Sequence, residues 1–484
     1  MKMKNNWNFA RKATAFLLAL IIATATLVVA SPSSEGQDES AFLPIRVASE
    51  SLGAEVTWGS EDRSITIDFA GGNILLFADS QRVYINNEAS TLGHSVFIAN
   101  NTAFIHPDDF LYTLMRVMDV DMDSHLSETK LDAKLFASIL MEELSIAGMI
   151  VAIVDAHEDF SWIQGFGYAD SKLGIPVEED TVFLVASISK TLTAIAVMQL
   201  VDDGIIDLDV PIVEYLPDFT MQPSPAGGDY RNITARMLLT HTAGILTQFH
   251  LEDIFDYSYI SVGEHDPHFM NSFLYYLAQY YMESPEGEVF SYSNNGYVLL
   301  GVLVAALTGD DNLYDDFVRY TQENIFEAAG MTRSSFVLDD VLQPYLAQPY
   351  VDAVVREEYV FINGLPTGAM VSTGYDMARL MHILLNDDGV LLAPGTVGLM
   401  TQGHDFDFTD VGIEYGLGFA RFPTDAGFHA VGHNGQWFHY NAYMVFDMES
   451  GIGIFVATNS HTGYEAAHFM ALTLLQIAVA EKGV

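Results

Sequence analysis

The stretch Thr181 to Val201 (TVFLVASISKTLTAIAVMQLV) holds 21 residues with Lys190 as its only charge. A segment this apolar must be buried, either in a membrane or in the core of a large folded domain, and a lysine inside it tends to give up its charge. Ser187, Ser189, Thr191, Thr193 and Gln199 accompany the lysine, and Asp202-Asp203-Gly204 closes the segment as a soluble helix end does, which argues against a membrane span. Half of the 484 residues are hydrophobic and 17% are charged, so the chain has apolar surface enough for such a core and for more than one domain.

Ser187 and Lys190 stand three residues apart, which puts both side chains on one helix face. A serine in the first turn lies among free backbone N–H groups that favour a developing oxyanion. A desolvated lysine loses its proton easily and can take or relay the one on serine. Alone, Ser-x-x-Lys also fits a core helix with a snorkelling lysine.

Two further motifs accompany it. In Ser291-Tyr292-Ser293-Asn294-Asn295-Gly296-Tyr297, Tyr292 offers a phenol that can shuttle a proton and Asn294 an amide that both donates and accepts; alone this is also an ordinary turn with an aromatic plug. Gly432-His433-Asn434-Gly435 ends a short strand, Phe428 to Val431. Glycine there permits close backbone approach, so a ligand can lie along the strand as an added one. His433 either orients a carboxylate and stabilises charge or is a satisfied surface histidine.

With the three motifs in this order and spacing, residues 131–484 resemble the serine β-lactamase-related family, which includes class C β-lactamases, D-alanyl-D-alanine carboxypeptidases, D-amino-acid peptidases and some esterases. The family's Ser-x-x-Lys falls on Ser187 and Lys190, its Tyr-x-Asn on Tyr292 and Asn294, and its third motif on His433 and Gly435. The resemblance implies an α+β, β-lactamase/transpeptidase-like fold: an antiparallel sheet flanked by helices, with a helical subdomain inserted from about Leu192 to Leu342. It also implies acyl transfer in two steps. Ser187 attacks a carbonyl, Lys190 and Tyr292 manage the proton, Asn294, His433 and Gly435 hold the substrate, and the backbone N–H groups of Ser187 and Gln436 form the oxyanion hole. The stretches Leu238 to Gly244, Gly368 to Thr373 and Tyr415 to Gly418 also look like the family and are read as scaffold.

Two departures bear on substrate. His433 stands where class C β-lactamases carry lysine, as it does in the carboxypeptidase and D-aminopeptidase branches. The bulky Gln436-Trp437-Phe438-His439 replaces a run in which the family often has glycine at the position of His439. The expected partner is a small molecule or peptide: D-alanyl-D-alanine carboxypeptidase-like or D-amino-acid peptidase-like action first, ester hydrolysis second, β-lactam opening third. The alternative is a catalytically idle penicillin-binding or cell-wall sensor protein.

The N-terminal part has a different character. Lys2, Lys4, Arg11 and Lys12 precede an uncharged apolar run from Ala13 to Ala30 that ends in Val28-Val29-Ala30. This reads as a signal peptide over 1–30, and hence export, or as a membrane anchor through 13–30 if uncleaved. A small, polar spacer follows over 31–40. Residues 41–119 read as a small α+β unit, with a helix from Val47 to Leu52 and strands Glu55 to Trp58 and Ser64 to Phe69; Ala103 to Pro107 faintly echoes Ala41 to Pro44 and again leads into a helix, Phe110 to Val117. Pro44-Ile45-Arg46, Leu52-Gly53-Ala54 and Val56-Thr57-Trp58 resemble the signature of the copper amine oxidase-like N-terminal domain. That resemblance does not imply copper, and His94 and His106 are read as isolated polar residues. A cell-wall contact role is expected for this unit, with an acidic linker over 120–130.

Against 64 acidic residues the chain has 20 basic ones, a formal charge of −44 that repels a phosphate backbone and excludes nucleic acid as a partner. Cysteine is absent, which removes disulfides, thiolate nucleophiles and Cys-based metal sites. The fifteen histidines form no His-Glu-x-x-His motif, so neither a metal nor any other cofactor is expected.

Overall fold

The computed structural model describes residues 43–483 except 51–53, 61, 70–71, 100–101, 119–120, 122–123, 248–259, 263, 311, 352–353, 356–359 and 404–412. The leader and spacer expected over 1–40 lie outside the described residues. Contacts divide the chain into two compact units, Met1–Glu143 and Leu144–Val484.

In the first unit, strand β1 (Leu43–Pro44) leads into helix α1 (Ile45–Glu50), followed by β2 (Glu55–Gly59), β3 (Ser64–Phe69), β4 (Gly72–Phe77), β5 (Ser80–Ile85), β6 (Glu88–Ala99), β7 (Thr102–Ile105) and helix α2 (Pro107–Val117). The strands form one antiparallel sheet in the order β1-β7-β6-β5-β4-β3-β2. Alternation explains the buried face: Ile65 and Ile67, Ile74 and Leu76, and Val83 and Ile85 point inward from successive strands. The hairpin from β5 to β6 turns through Asn86 and Asn87, both at positive φ (49° and 68°), as a two-residue turn of this hand requires. The faint echo has a structural counterpart, since β1 pairs with β7 (Leu43↔Ile105, Pro44↔Phe104) and each strand feeds a helix. Strand content exceeds the sequence reading because β6 (EASTLGHSVFIA) mixes polar and apolar residues without a clean period of two.

Helix α3 (Ser127–Glu143) begins ahead of residue 131, and its Leu131 and Leu135 join Phe110, Leu114 and Val117 in the core of the first unit. Contacts therefore divide the chain after Glu143, downstream of the acidic stretch read as a linker. An amphipathic stripe shows that a helix packs on something and does not say on which side of a boundary its partner lies.

The second unit opens with β8 (Gly148–Asp155), β9 (Phe160–Asp170) and β10 (Ile175–Pro176). Three two-stranded pieces follow: β11 (Phe183–Leu184) pairs with β16 (Val371–Ser372), β12 (Ile260–Val262) with β15 (Val360–Ile362), and β13 (Tyr350–Val351) with β14 (Val354–Val355). The chain then returns through β17 (Glu414–Tyr415), β18 (Ala420–Pro423), β19 (His429–Trp437), β20 (Tyr440–Asp447) and β21 (Ile452–Thr458). The main sheet is antiparallel, in the order β10-β9-β8-β21-β20-β19-β18-β17.

Every residue of β8 and β21 is buried, which is why both read as unbroken apolar runs. Helices cover the two faces. A Cβ on Gly453 would meet Met381 and Leu385 of the helix Gly374–Asn386, while Tyr443, on the opposite face by strand alternation, packs on Tyr464 and His468 of the terminal helix Tyr464–Lys482. The insertion read as helical is so in α4 (Ser189–Asp202), in α5 (Asn294–Thr308) and in the helical run 313–329 that follows. Between α4 and α5 the described residues form turns, the short strand β12 and helices of five residues or fewer, because Pro211, Pro217, Pro223, Pro225 and Gly227-Gly228 interrupt any longer period.

Candidate active site

Strand β11 delivers the chain into a tight 3₁₀ turn, Ala186–Ile188, and α4 starts at Ser189. Ser187 thus stands just ahead of the helix and not in its first turn. Ala186, immediately before it, holds φ at 48°, a left-handed conformation that costs an L-residue energy and persists where surrounding packing imposes it.

Lys190 is wholly buried. Its Nζ donates to the Thr367 carbonyl oxygen at 2.8 Å and lies 3.2 Å from Ser187 Oγ. Burial holds its pKa well below the ordinary lysine range, so the amine is poised to be neutral and to accept a proton. The polar residues of this apolar segment are tethers: Ser189 Oγ accepts from the Met370 N–H (3.0 Å), Thr191 donates to the Gly418 carbonyl (3.0 Å) and Thr193 to that of Pro366 (2.7 Å). They fix on α4 the same backbone that orients the lysine, and that backbone, at Pro366 and Thr367, was not singled out from sequence.

The Tyr292 ring centroid lies 4.8 Å from Lys190 Nζ. Ser293 caps α5, accepting from the Gly296 N–H (2.9 Å) and donating to the Leu246 carbonyl (2.8 Å). Asn294 opens the helix with its own N–H on the Thr247 carbonyl (2.7 Å). The Ser293 N–H donates to His241 Nδ1 at 3.0 Å, which puts the imidazole proton on Nε2. His241 is buried, with φ at 58°, and its ring packs on Tyr292 (4.3 Å between centroids), Tyr415 (4.8 Å) and Tyr297 (5.0 Å). Burial above all, then the basic groups Lys190 and His433 beside it, push its pKa well down. Sequence reading set this histidine aside as scaffold.

His433 is buried on β19, with Nδ1 2.6 Å from the Asn434 carbonyl oxygen and Nε2 2.8 Å from the Tyr415 hydroxyl. A carbonyl only accepts, so Nδ1 carries the proton and Nε2 accepts from tyrosine. Burial, followed by Lys190, takes its pKa down to about 3. His433 is therefore a neutral ring held on both nitrogens, and Tyr415, treated as scaffold, is its partner.

Strand β18 leaves the sheet at Ala420↔Gly432, so among the described residues no strand pairs with His433 to Trp437 on that side. A Cβ on Gly435 would overlap the Val185 carbonyl oxygen and come within 3.0 Å of Ser187 N; only glycine lets β19 lie this close to the serine turn. Gln436 follows, paired to Asn441 on β20, with its side chain exposed. The structure thus gathers Ser187, Lys190, Tyr292, His433 and Gly435, adds His241, Tyr415 and Thr367, and sets Asn294 at the mouth of α5. Such a set can activate a hydroxyl through a neutral amine beside an open strand edge.

No helix among the described residues is long and apolar enough to cross a membrane, α4 included. Histidine and carboxylate side chains at metal-ligand spacing occur at His94, His106 and Asp109 in the first unit, so the reading of His94 and His106 as isolated residues is corrected.

A model of the family described as Beta-lactamase matches residues 136–478, and one described as Copper amine oxidase N-terminal domain matches residues 25–125. Penicillin-binding protein 4 of Amycolatopsis lactamdurans is 27% identical over 339 residues, covering 66% of this chain and 82% of the relative. A Beta-lactamase of Yersinia enterocolitica is 27% identical over 276 residues, covering 55% of this chain and 63% of the relative. Among solved structures, a Beta-Lactamase/D-Alanine Carboxypeptidase from Pseudomonas syringae superposes with a TM-score of 0.59 at 21% identity, over 72% of this chain and 99% of that one, which establishes the fold.

Proposed function

The chain belongs to the beta-lactamase family, with a copper amine oxidase-like domain ahead of the family domain, and on that premise we propose that it is a serine acyl hydrolase working through Ser187. The observation that carries this reading is the buried Lys190 amine 3.2 Å from Ser187 Oγ. Ser187 Oγ attacks the acyl carbonyl while its proton passes to Lys190 Nζ. The tetrahedral oxyanion is held by the backbone N–H groups of Ser187 and Gln436, the latter on the unpaired edge of β19. Tyr292, beside Lys190, carries the proton to the leaving group, which departs as the carbonyl re-forms on the acyl-enzyme. Water, deprotonated by the same pair, then releases the acid and restores Ser187.

Asn294, His433 and Gly435 line the acyl donor's path. The first reading of the substrate is a peptide ending in or beginning with a D-amino acid, as on a bacterial cell wall, reached by an exported protein whose first unit contacts the envelope. A second reading is favoured by one observation: His433, neutral between Tyr415 and the Asn434 carbonyl, brings no charge for a substrate carboxylate. That favours an acyl donor without one, such as a small ester or a peptide cleaved at its amino end.

The test is incubation with fluorescent penicillin and, separately, with a fluorophosphonate, followed by mass spectrometry of the adduct and of its decay. A penicilloyl adduct on Ser187 that decays supports the hydrolase, a permanent penicilloyl adduct with no turnover of peptide or ester supports an idle penicillin-binding protein, and no adduct from either reagent in folded protein overturns the proposal. Comparing kcat/KM for one D-amino-acid peptide with a free and an amidated carboxyl end separates a substrate recognised through its carboxylate from one that needs none.

A further inference from the structure

We infer that the first unit carries a site for a divalent transition-metal ion, formed by His94, His106 and Asp109. The three come from separate elements. His94 lies on β6, His106 stands where β7 passes into α2, and Asp109 is in the first turn of that helix. The β6–β7 pairing (Phe97↔Phe104, Ile98↔Ala103) brings their ends together, although 12 and 15 residues separate His94 from the other two. One ligand atom from each residue lies within 4.8 Å of the others.

Each group is suited to the task. Asp109 is buried, and its carboxylate is fixed by backbone donors: Oδ1 accepts from the Gly93 N–H at 2.6 Å and Oδ2 from the His94 N–H at 2.9 Å. Such anchoring orients a metal ligand and leaves each oxygen a further lone pair. His94 Nδ1 lies 3.0 Å from Asp109 Oδ2, and the rings of His94 and His106 stack at 3.9 Å between centroids and 19° between planes. A simple His–Asp ion pair accounts for the first contact. It gives no reason for a second imidazole to lie face to face with the first within reach of the same carboxylate.

A tetrahedral ion with bonds of about 2.0–2.2 Å sets its ligand atoms about 3.4 Å apart. Stacked rings send their in-plane lone pairs out side by side, so binding one ion also takes a rotation of the half-exposed His94 ring out of the stack, until both lone pairs meet at a common point. Two imidazoles and one carboxylate suit Zn²⁺, Ni²⁺ or Cu²⁺, while Ca²⁺ and Mg²⁺ want more oxygen ligands. The chain's formal charge of −44 raises the local concentration of any cation. A bound ion clips β6 to the junction of β7 and α2 and keeps a position open for water or for a donor from outside.

The experiment uses the full chain, stripped with a chelator and titrated with Zn²⁺ by calorimetry, with the Co²⁺ absorption spectrum as a second readout. Uptake of one Zn²⁺ with a higher melting temperature is expected. His94→Ala and His106→Ala should each weaken binding by at least about 10-fold, the lower end of what losing even an outer-shell partner costs, and should abolish the Co²⁺ spectrum. His429→Ala, in the other unit, should leave both unchanged. Because Asp109 also supports backbone, His106→Gln, which touches none of those bonds, serves as the second variant. Absence of Zn²⁺ uptake by the folded wild type, or uptake that neither histidine variant weakens, overturns the inference.

Discussion

The Tyr415 hydroxyl donates to His433 Nε2 at 2.8 Å, and because the other ring nitrogen is spent on the Asn434 carbonyl, this bond completes the histidine's hydrogen bonding. Tyr415→Phe keeps the ring and removes the donor, leaving a buried acceptor unmatched. Such a loss costs about 1–3 kcal/mol. A fall in unfolding free energy of that size is expected in denaturant titration, with a loss of turnover smaller than that of Ser187→Ala. Unchanged stability would mean that the hydroxyl and the imidazole are not bonded in solution.

Gly435 makes a sharper claim about geometry. A methyl group at residue 435 meets the backbone of the serine turn, the Val185 carbonyl and the Ser187 amide, and neither can swing away as a side chain could. Gly435→Ala should push β19 from the serine turn, and a shift near 1 Å at a reacting atom can cost about 10²-fold in rate. A drop in kcat of that order with the fold retained by circular dichroism is expected. Gly398→Ala is the control: an added Cβ there meets nothing within 4 Å, and the residue sits in the short helix Thr396–Met400, where alanine is the better helix former.

The grouping of the candidate residues was more legible from sequence than its supports. Ser187, Lys190, Tyr292 and His433 carry scarce functional groups in an unusual setting, an isolated lysine in an apolar helix above all, and spacing singles them out. Thr367 and Gly418 contribute backbone carbonyls, which every residue has, so no side-chain pattern announces them. His241 and Tyr415 were visible as residues, but their part depends on which ring nitrogen faces which donor, a matter of three-dimensional register. In the main sheet β8 and β21, covered on both faces, are unbroken apolar runs that the sequence displays plainly. The strands of the first unit were less so, since a half-exposed sheet tolerates polar residues that blur its period. His94, His106 and Asp109 were missed because a strand pairing, not sequence spacing, brings them together.

Acid should destabilise this protein in a particular window. His433 has its pKa lowered to about 3, and His241 and His265, the latter to about 4, are lowered in the same direction by burial. Below about pH 6.5 the unfolded chain takes up protons that these folded rings refuse. The stability they allow is therefore intact above that pH and is lost as pH falls toward the folded values, by up to about 1.4 kcal/mol per pH unit for each ring. His433→Gln should reduce the slope of unfolding free energy between pH 6.5 and about 4 by one proton's worth. An unaltered slope would place the histidine's proton affinity in the folded state near that of a free imidazole.

Lys190, likewise a base whose cationic form burial disfavours, shows the same linkage at higher pH. Its pKa falls on folding, so between the folded value and about 10.5 the unfolded chain binds the extra proton, and stability rises with pH across that window. The desolvation penalty is largest at low pH and fades as the free amine itself deprotonates. Lys190→Met keeps the length and removes the penalty, though it leaves the Thr367 carbonyl without its donor, which offsets part of the gain. The variant should lose turnover by about 10²–10⁴-fold, as expected for a missing acid–base group, while its stability becomes less dependent on pH in the window just below the ordinary lysine pKa. Ser187→Ala should abolish turnover and leave that pH dependence in place, because the lysine remains buried. If Lys190→Met keeps near-normal turnover, the proton of Ser187 leaves by another route and Tyr292 becomes the base to examine; if turnover falls and the pH dependence persists, the lysine is charged in the folded protein and its closeness to Ser187 Oγ has an electrostatic rather than a proton-accepting purpose.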